Sequence, residues 1–169
     1  MESVKKIKLS SSEKKFNLYF DGGSRNNPGV TGGGWCLEEE EDEEFKEIAN
    51  GWCFVGDKNT NNEGEYTGLI HALEYLHTPS FKEKYFSDGV IDITVRGDSK
   101  LVIEQVNRKW KCKAANLKPL LAKVHSLLKI GDKCIPSFKF EHVPRAENKK
   151  ADGYANRSMD LKTTMVNIL

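Results

Sequence analysis

The chain has 169 residues, 38% hydrophobic and 30% charged, with a formal net charge of +1. That balance describes one globular domain with a sizeable core and excludes a disordered chain; every apolar run is far shorter than the ~20 residues needed to cross a membrane. Cys36, Cys53, Cys112 and Cys134 form no C-x-x-C pair and have no zinc spacing with the histidines, so they read as thiols, and with no secretory pattern at "MESVKKIKLS" the expected compartment is cytoplasm or nucleus.

Residues 1–14 read as a flexible polar tail. The domain is expected over 15–160, with a short C-terminal tail over 161–169. In "FNLYF", Phe16, Leu18 and Phe20 alternate onto one face, which predicts a first strand ending near Asp21. "GGGWCLEE" and "FKEIANGWCFV" predict two more strands, an antiparallel meander in which the repeated "GWC" triplets are cross-strand neighbours. In "NNEGEYTGLIHALEYLH", Leu69, Ala72, Leu73 and Leu76 recur at helical spacing, with Asn62 as N-cap and Pro79 as terminator. "VIDITVRGD" alternates as a fourth strand, and "SKLVIEQVN" and "LKPLLAKVHSLLKI" follow as helices. "SFKFEHV" is a fifth strand, with Phe138, Phe140 and His142 on one face. "AENKKADGYANRSM" is a last helix, in which Gly153 costs about 1 kcal/mol relative to Ala. The order predicts an α/β fold: a five-stranded mixed sheet, an antiparallel three-strand meander plus parallel strands, with helices on both faces.

Charge is unevenly spread. Residues 38–47 hold eight acids and one lysine; residues 104–150 hold twelve Lys/Arg and four acids. A basic second half suits a polyanionic partner, and the acidic run belongs on another face.

Four acids stand at element ends: Asp21 after the first strand, Glu65 in the first helical turn beside the apolar stripe, Asp98 after the fourth strand, and Asp152 on the last helix. Each has an ordinary alternative role. Asp21 could form an Asx-turn, Glu65 a capping box with Asn62, Asp98 an N-cap, and Asp152 a solvated helix charge. Jointly they suggest a site, because clustered carboxylates raise one another's pKa unless a cation neutralises them. An all-oxygen ligand set favours Mg²⁺ or Mn²⁺, and two such ions suit phosphodiester cleavage.

"DGGSRNNPGVTGGGW", "TNNEGEYTGLIHAL", "RGDSKLVIEQV" and "HVPRAENKKADGYA" resemble, in order, the motifs of type 1 ribonuclease H. The likeness spans about residues 16–158. It implies the ribonuclease H-like fold and endonucleolytic cleavage of the RNA strand of an RNA–DNA hybrid, leaving 5′-phosphate and 3′-hydroxyl ends. It assigns Asp21, Glu65, Asp98 and Asp152 as catalytic acids holding two Mg²⁺ (Mn²⁺ as an alternative), Asp21 bridging both, with Gly22 letting the backbone pass close to the metal. It assigns Asn27, Thr60, Asn61 and Asn62 to the hybrid, Thr60 on a DNA-strand phosphate and the paired asparagines in the minor groove. Lys100 stands where many relatives have Gln. Trp110, set among Arg108, Lys109, Lys111 and Lys113, matches a compact form of the family's basic protrusion, with a place in the core as the alternative. Arg145 and Asn148 fall beside the last acid.

The family's mobile loop His is missing: the connection "VPRAEN" is short, as in archaeal-like members. His142 aligns inside the strand and reads as structural, leaving Arg145 as the nearby cation. A monomer is expected. The competing readings are a catalytically silent binding module on the same fold, and another nuclease or integrase, whose order of acids differs.

Overall fold

The computed structural model of the protein describes residues 13–86, 89–130 and 136–169. Three long strands open the chain: β1 (Glu13–Arg25), β2 (Gly29–Glu41) and β3 (Glu44–Asn59). Helices α1 (Asn61–Leu76) and α2 (Pro79–Tyr85) follow, then β4 (Val90–Gly97), α3 (Lys100–Val106), α4 (Lys118–Leu127) and β5 (Pro136–His142). A 3₁₀ turn at Arg145–Glu147 leads into α5 (Lys149–Leu161) and β6 (Met165–Ile168). The strands form one sheet in the order β5-β4-β1-β2-β3-β6. The β1–β2, β2–β3 and β3–β6 pairs are antiparallel; β1–β4 and β4–β5 are parallel.

The meander closes through Asp42 and Glu43, both at positive φ (53° and 67°), the geometry of a tight hairpin turn. The two "GWC" triplets face each other across it, with Gly34 opposite Trp52 and Trp35 opposite Gly51. Phe16, Leu18 and Phe20 of β1, with Ile91, Ile93 and Val95 of β4, are buried against Leu69, Ala72, Leu73 and Leu76 of α1.

The glycine run of β2 sets where the helices lie. Successive strand residues point to opposite faces. A Cβ on Gly33 would meet Gly68 of α1, while one on Gly34 would fall on the backbone of α5 at Tyr154–Ala155. The run therefore admits α1 on one face and α5 on the other, each closer than a side chain permits. Gly22 likewise makes room for α1, because its absent Cβ would overlap Gly64 and Glu65.

Five expectations change. The sheet has six strands rather than five: β6 pairs Met165–Ile168 with Ala49–Trp52 of β3. Its four residues carry no periodic signal of their own, and the free edge of β3 recruits them. Strand β1 does not stop at Asp21 but runs on to Arg25 beside β2. It is the parallel partner β4 that ends there, its last residue Gly97 opposite Phe20. Pro79 starts α2 instead of only ending α1, because its fixed φ suits a first helical position. The N-cap of α1 is Thr60, in a capping box with Glu63, so neither Asn62 nor Glu65 caps it. Of the expected tail over 1–14, residues 1–12 lie outside the described residues, and Glu13 and Lys14 already belong to β1.

Candidate active site

Because β4 ends at Gly97 opposite Phe20, the next residue on each strand is an acid. Asp21 and Asp98 are thus side by side where the parallel pairing stops. Glu65 reaches the same point from the first turns of α1, drawn in by the close contact at Gly22. Oxygens of Asp21, Glu65 and Asp98 lie within 4.8 Å of one another. Asp152 comes from α5, and all four acids line one cleft of about 570 Å³.

The capping roles open to Asp98 and Glu65 in sequence are taken by neighbours. Ser99 caps α3, its hydroxyl accepting from Val102 N at 3.3 Å, so Asp98 is not the cap. Thr60 and Glu63 form the capping box of α1, which leaves Glu65 uncommitted.

Asp21 and Glu65 are buried, at 5% and 8% exposure. Burial, then the charge of Asp98, pushes the Asp21 carboxyl up to about 7. Burial and the adjacent Asp21 hold Glu65 well above the usual carboxylate range. Glu65 Oε2 is buried with no hydrogen-bond partner. An orphaned acceptor among crowded carboxylates is the arrangement a cation satisfies, and a ligand set made only of oxygens fits a hard divalent ion.

Among the other residues picked out in the sequence, Gly22, Asn61, Asn62 and Arg145 also line this cleft. Asn27 sits at its approach, its Oδ1 accepting from Asn61 N at 3.0 Å. Thr60 is engaged with Glu63, accepting from its amide at 3.3 Å. Lys100 and Trp110 form a separate surface pair, the ammonium 5.8 Å from the indole centroid. Trp110 is 45% exposed, which removes its alternative place in the core. Asn148 departs from its expected contact with substrate. It is 1% exposed, and its Nδ2 donates to Phe20 O at 2.8 Å, so it ties α5 to β1 and offers no surface to a ligand.

The cleft also contains side chains that sequence reasoning passed over: Arg25, Asn156, Met159 and, in part, His142. His142 is the last residue of β5, as expected, but its ring is on the cleft wall, with Nε2 3.2 Å from Asp98 O. Arg25 stands in the quoted "GGSRNNPG" stretch; the missing signal was that β1 continues to it. Asn156 and Met159 lie one and two turns beyond Asp152 on α5, a spacing that sequence could have flagged.

A central mixed sheet covered by α1 and α5, with acids gathered where β1 outruns β4, defines the ribonuclease H-like class. A family model described as reverse transcriptase-like matches residues 19–158, and the chain belongs to that family. It is 35% identical to a ribonuclease HI of Halobacterium salinarum over 146 residues, 86% of this chain and 65% of that protein. It is 34% identical to the bifunctional protein Rv2228c of Mycobacterium tuberculosis over 143 residues, 83% of this chain and 34% of that protein. The chain therefore spans just under two thirds of one relative and about a third of the other. Among solved structures, RNase H1 from Halobacterium salinarum superposes with a TM-score of 0.69 at 34% identity, covering 86% of this chain and 98% of that one. LC11-RNase H1 in complex with an RNA/DNA hybrid superposes with a TM-score of 0.71 at 30% identity, covering 87% and 98%. Among the described residues no helix is long and apolar enough to cross a membrane.

Proposed function

We propose that the protein is a metal-dependent endoribonuclease that cuts the RNA strand of RNA–DNA hybrids, leaving 5′-phosphate and 3′-hydroxyl ends. The observation that carries this is the convergence of Asp21, Glu65, Asp98 and Asp152 from four separate elements on one cleft. The kinship with ribonucleases H, one of them solved with a hybrid, supports it. Two Mg²⁺ ions held by these acids would supply water activation and charge neutralisation at the leaving oxygen, with Mn²⁺ as an alternative.

The chain's own residues do the rest. Asp21, buried beside Glu65 and Asp98, would hold the ions together with them. Gly22, in contact with α1, keeps Glu65 beside it. Asn61 and Asn62, on the cleft wall at the start of α1, are set to read the minor groove. There an amide both donates and accepts, and the 2′-hydroxyl marks RNA. Asn27 fixes that corner through the Asn61 amide. Thr60 would grip a DNA-strand phosphate, and the exposed Trp110, with Lys100 beside it, would meet the hybrid, where basic groups neutralise phosphates and an aromatic packs on sugar or base. Arg145, which also lines the cleft, would supply positive charge there. One chain brings all four acids, consistent with a monomer.

The test is a labelled hybrid duplex incubated with Mg²⁺, beside Asp98→Asn. Cleavage confined to the RNA strand and lost in the variant is expected. A wild-type chain that leaves the hybrid intact with both Mg²⁺ and Mn²⁺ would sink the reading.

A further inference from the structure

We propose that Arg25 is a substrate-binding residue: its guanidinium takes a phosphate of the strand entering the carboxylate cleft, and Asp160 holds it ready for that contact. The inference rests on the hybrid-cleaving reading above and adds a residue to it.

A nucleic-acid strand brings negative charge to a cleft already lined by four carboxylates. Metal ions held by the acids would neutralise the phosphate at the cut; neighbouring phosphates need cations on the walls. Among the described residues lining the cleft, only Arg25 and Arg145 carry a guanidinium, and none is a lysine. Arg145 comes from the β5–α5 connection. Arg25 is the last residue of β1, four positions beyond Asp21, and lies on the side of α5.

The Arg25 head group is held in place. Its Nη1 is 2.6 Å from Asp160 Oδ1, and its Nη2 donates to Asn156 Oδ1 at 3.3 Å. Asn156 Nδ2 in turn donates to Asp152 O at 3.0 Å. Asp152, Asn156 and Asp160 stand at i, i+4 and i+8, one stripe along α5, so the guanidinium is stretched out along this helix.

The ion pair is not explained by stability. Its side chains are 45% and 60% exposed, and an ion pair this wet contributes little. For the same reason a phosphate displaces Asp160 at small cost. A guanidinium also matches phosphate oxygens with two parallel hydrogen bonds, which a lysine does not.

The experiment compares Arg25→Ala and Arg25→Lys with the parent chain, in cleavage kinetics and in binding of uncut hybrid in an Asp98→Asn background. Arg25→Ala is expected to raise KM about tenfold, leave kcat within about twofold, and reduce the slope of log affinity against log salt by about one. Arg25→Lys is expected to fall between the two. A neutral methylphosphonate in the RNA strand near the cut should erase the difference between parent and Arg25→Ala, whereas one in the DNA strand should not. Binding and salt slope unchanged by Arg25→Ala overturn the proposal. So does a fall in kcat with a higher Mg²⁺ requirement at saturating hybrid and unchanged slope, which would make Arg25 a positioning residue for Asp152. If the parent chain binds hybrid through Arg25 but cuts none, the proposed activity fails while this inference stands.

Discussion

Asn148 Nδ2 donates to the carbonyl oxygen of Phe20 at 2.8 Å, one residue before Asp21 on β1 and four before Asp152 on α5. One buried amide thus fixes the helix bearing the fourth acid against the strand bearing the first. Asn148→Ala removes that bond, at a cost of about 0.5–1.5 kcal/mol. Because Asp152 loses its register against Asp21, kcat is expected to fall at least about tenfold with KM for hybrid little changed. Thermal melting and steady-state kinetics check both. A variant that melts lower but cuts at the parent's rate would separate Asn148 from the site.

The acidic cluster makes stability depend on pH in a definite sense. Asp21 is raised from 3.8 to about 7 in the folded protein, so between those values the folded state holds more protons than the unfolded one. Metal-free stability therefore falls as pH rises through this window, and the destabilisation is complete above about 7. Without divalent ions, Tm is expected to drop from pH 5 to pH 8. Mg²⁺ should restore it most at the high end, because binding requires the deprotonated acids. In a chelator at pH 8, Asp21→Asn should melt about 3–6 °C above the parent. A metal-free Tm that rises over this range would contradict the buried cluster.

Gly34 packs against α5 and Gly153 lies within it, and Ala should act on them with opposite sign. A Cβ at Gly34 has no space against Ala155 and Ala151, so Gly34→Ala is expected to destabilise by about 2–4 kcal/mol and to lower activity by lifting α5 from the sheet. A Cβ at Gly153 meets nothing within 4 Å. Gly153→Ala is expected to stabilise by about 1 kcal/mol, the ordinary helix propensity difference. Chemical denaturation of the two variants measures both.

Capping separates two neighbours at the start of α1. Thr60→Ala removes the hydroxyl of the capping box and should cost about 1 kcal/mol in unfolding free energy. Asn62→Ala touches no cap and should leave stability within about 0.5 kcal/mol while weakening hybrid binding. Equal losses of stability would show that Asn62 has a structural duty in the helix start.

The hairpin turn tests the acidic run. Glu43 holds φ 67°, a conformation that costs a side-chain-bearing residue about 1–2 kcal/mol. Glu43→Gly relieves it and removes one of the clustered negative charges. An increase in unfolding free energy of about 1 kcal/mol, with cleavage unaffected, is the expected result.

Alternation and helical spacing were enough to place β1, β4 and α1, because each buries one face and its apolar residues must recur at the matching period. The four acids were legible for a related reason: each interrupts or flanks an apolar pattern at an element end. Their order along the chain carried the family likeness. What the sequence could not supply was distance. That Asp21 lies within reach of Glu65 and Asp98 follows from β4 stopping opposite Phe20 and from α1 pressing on Gly22, both contacts between segments remote in sequence. The burial of Asn148, the recruitment of β6 by the edge of β3, and the holding of Arg25 by Asp160 are of the same kind. Local pattern records what each segment must hide from water. Only packing decides which hidden and exposed groups meet, because that depends on the space the neighbouring elements leave.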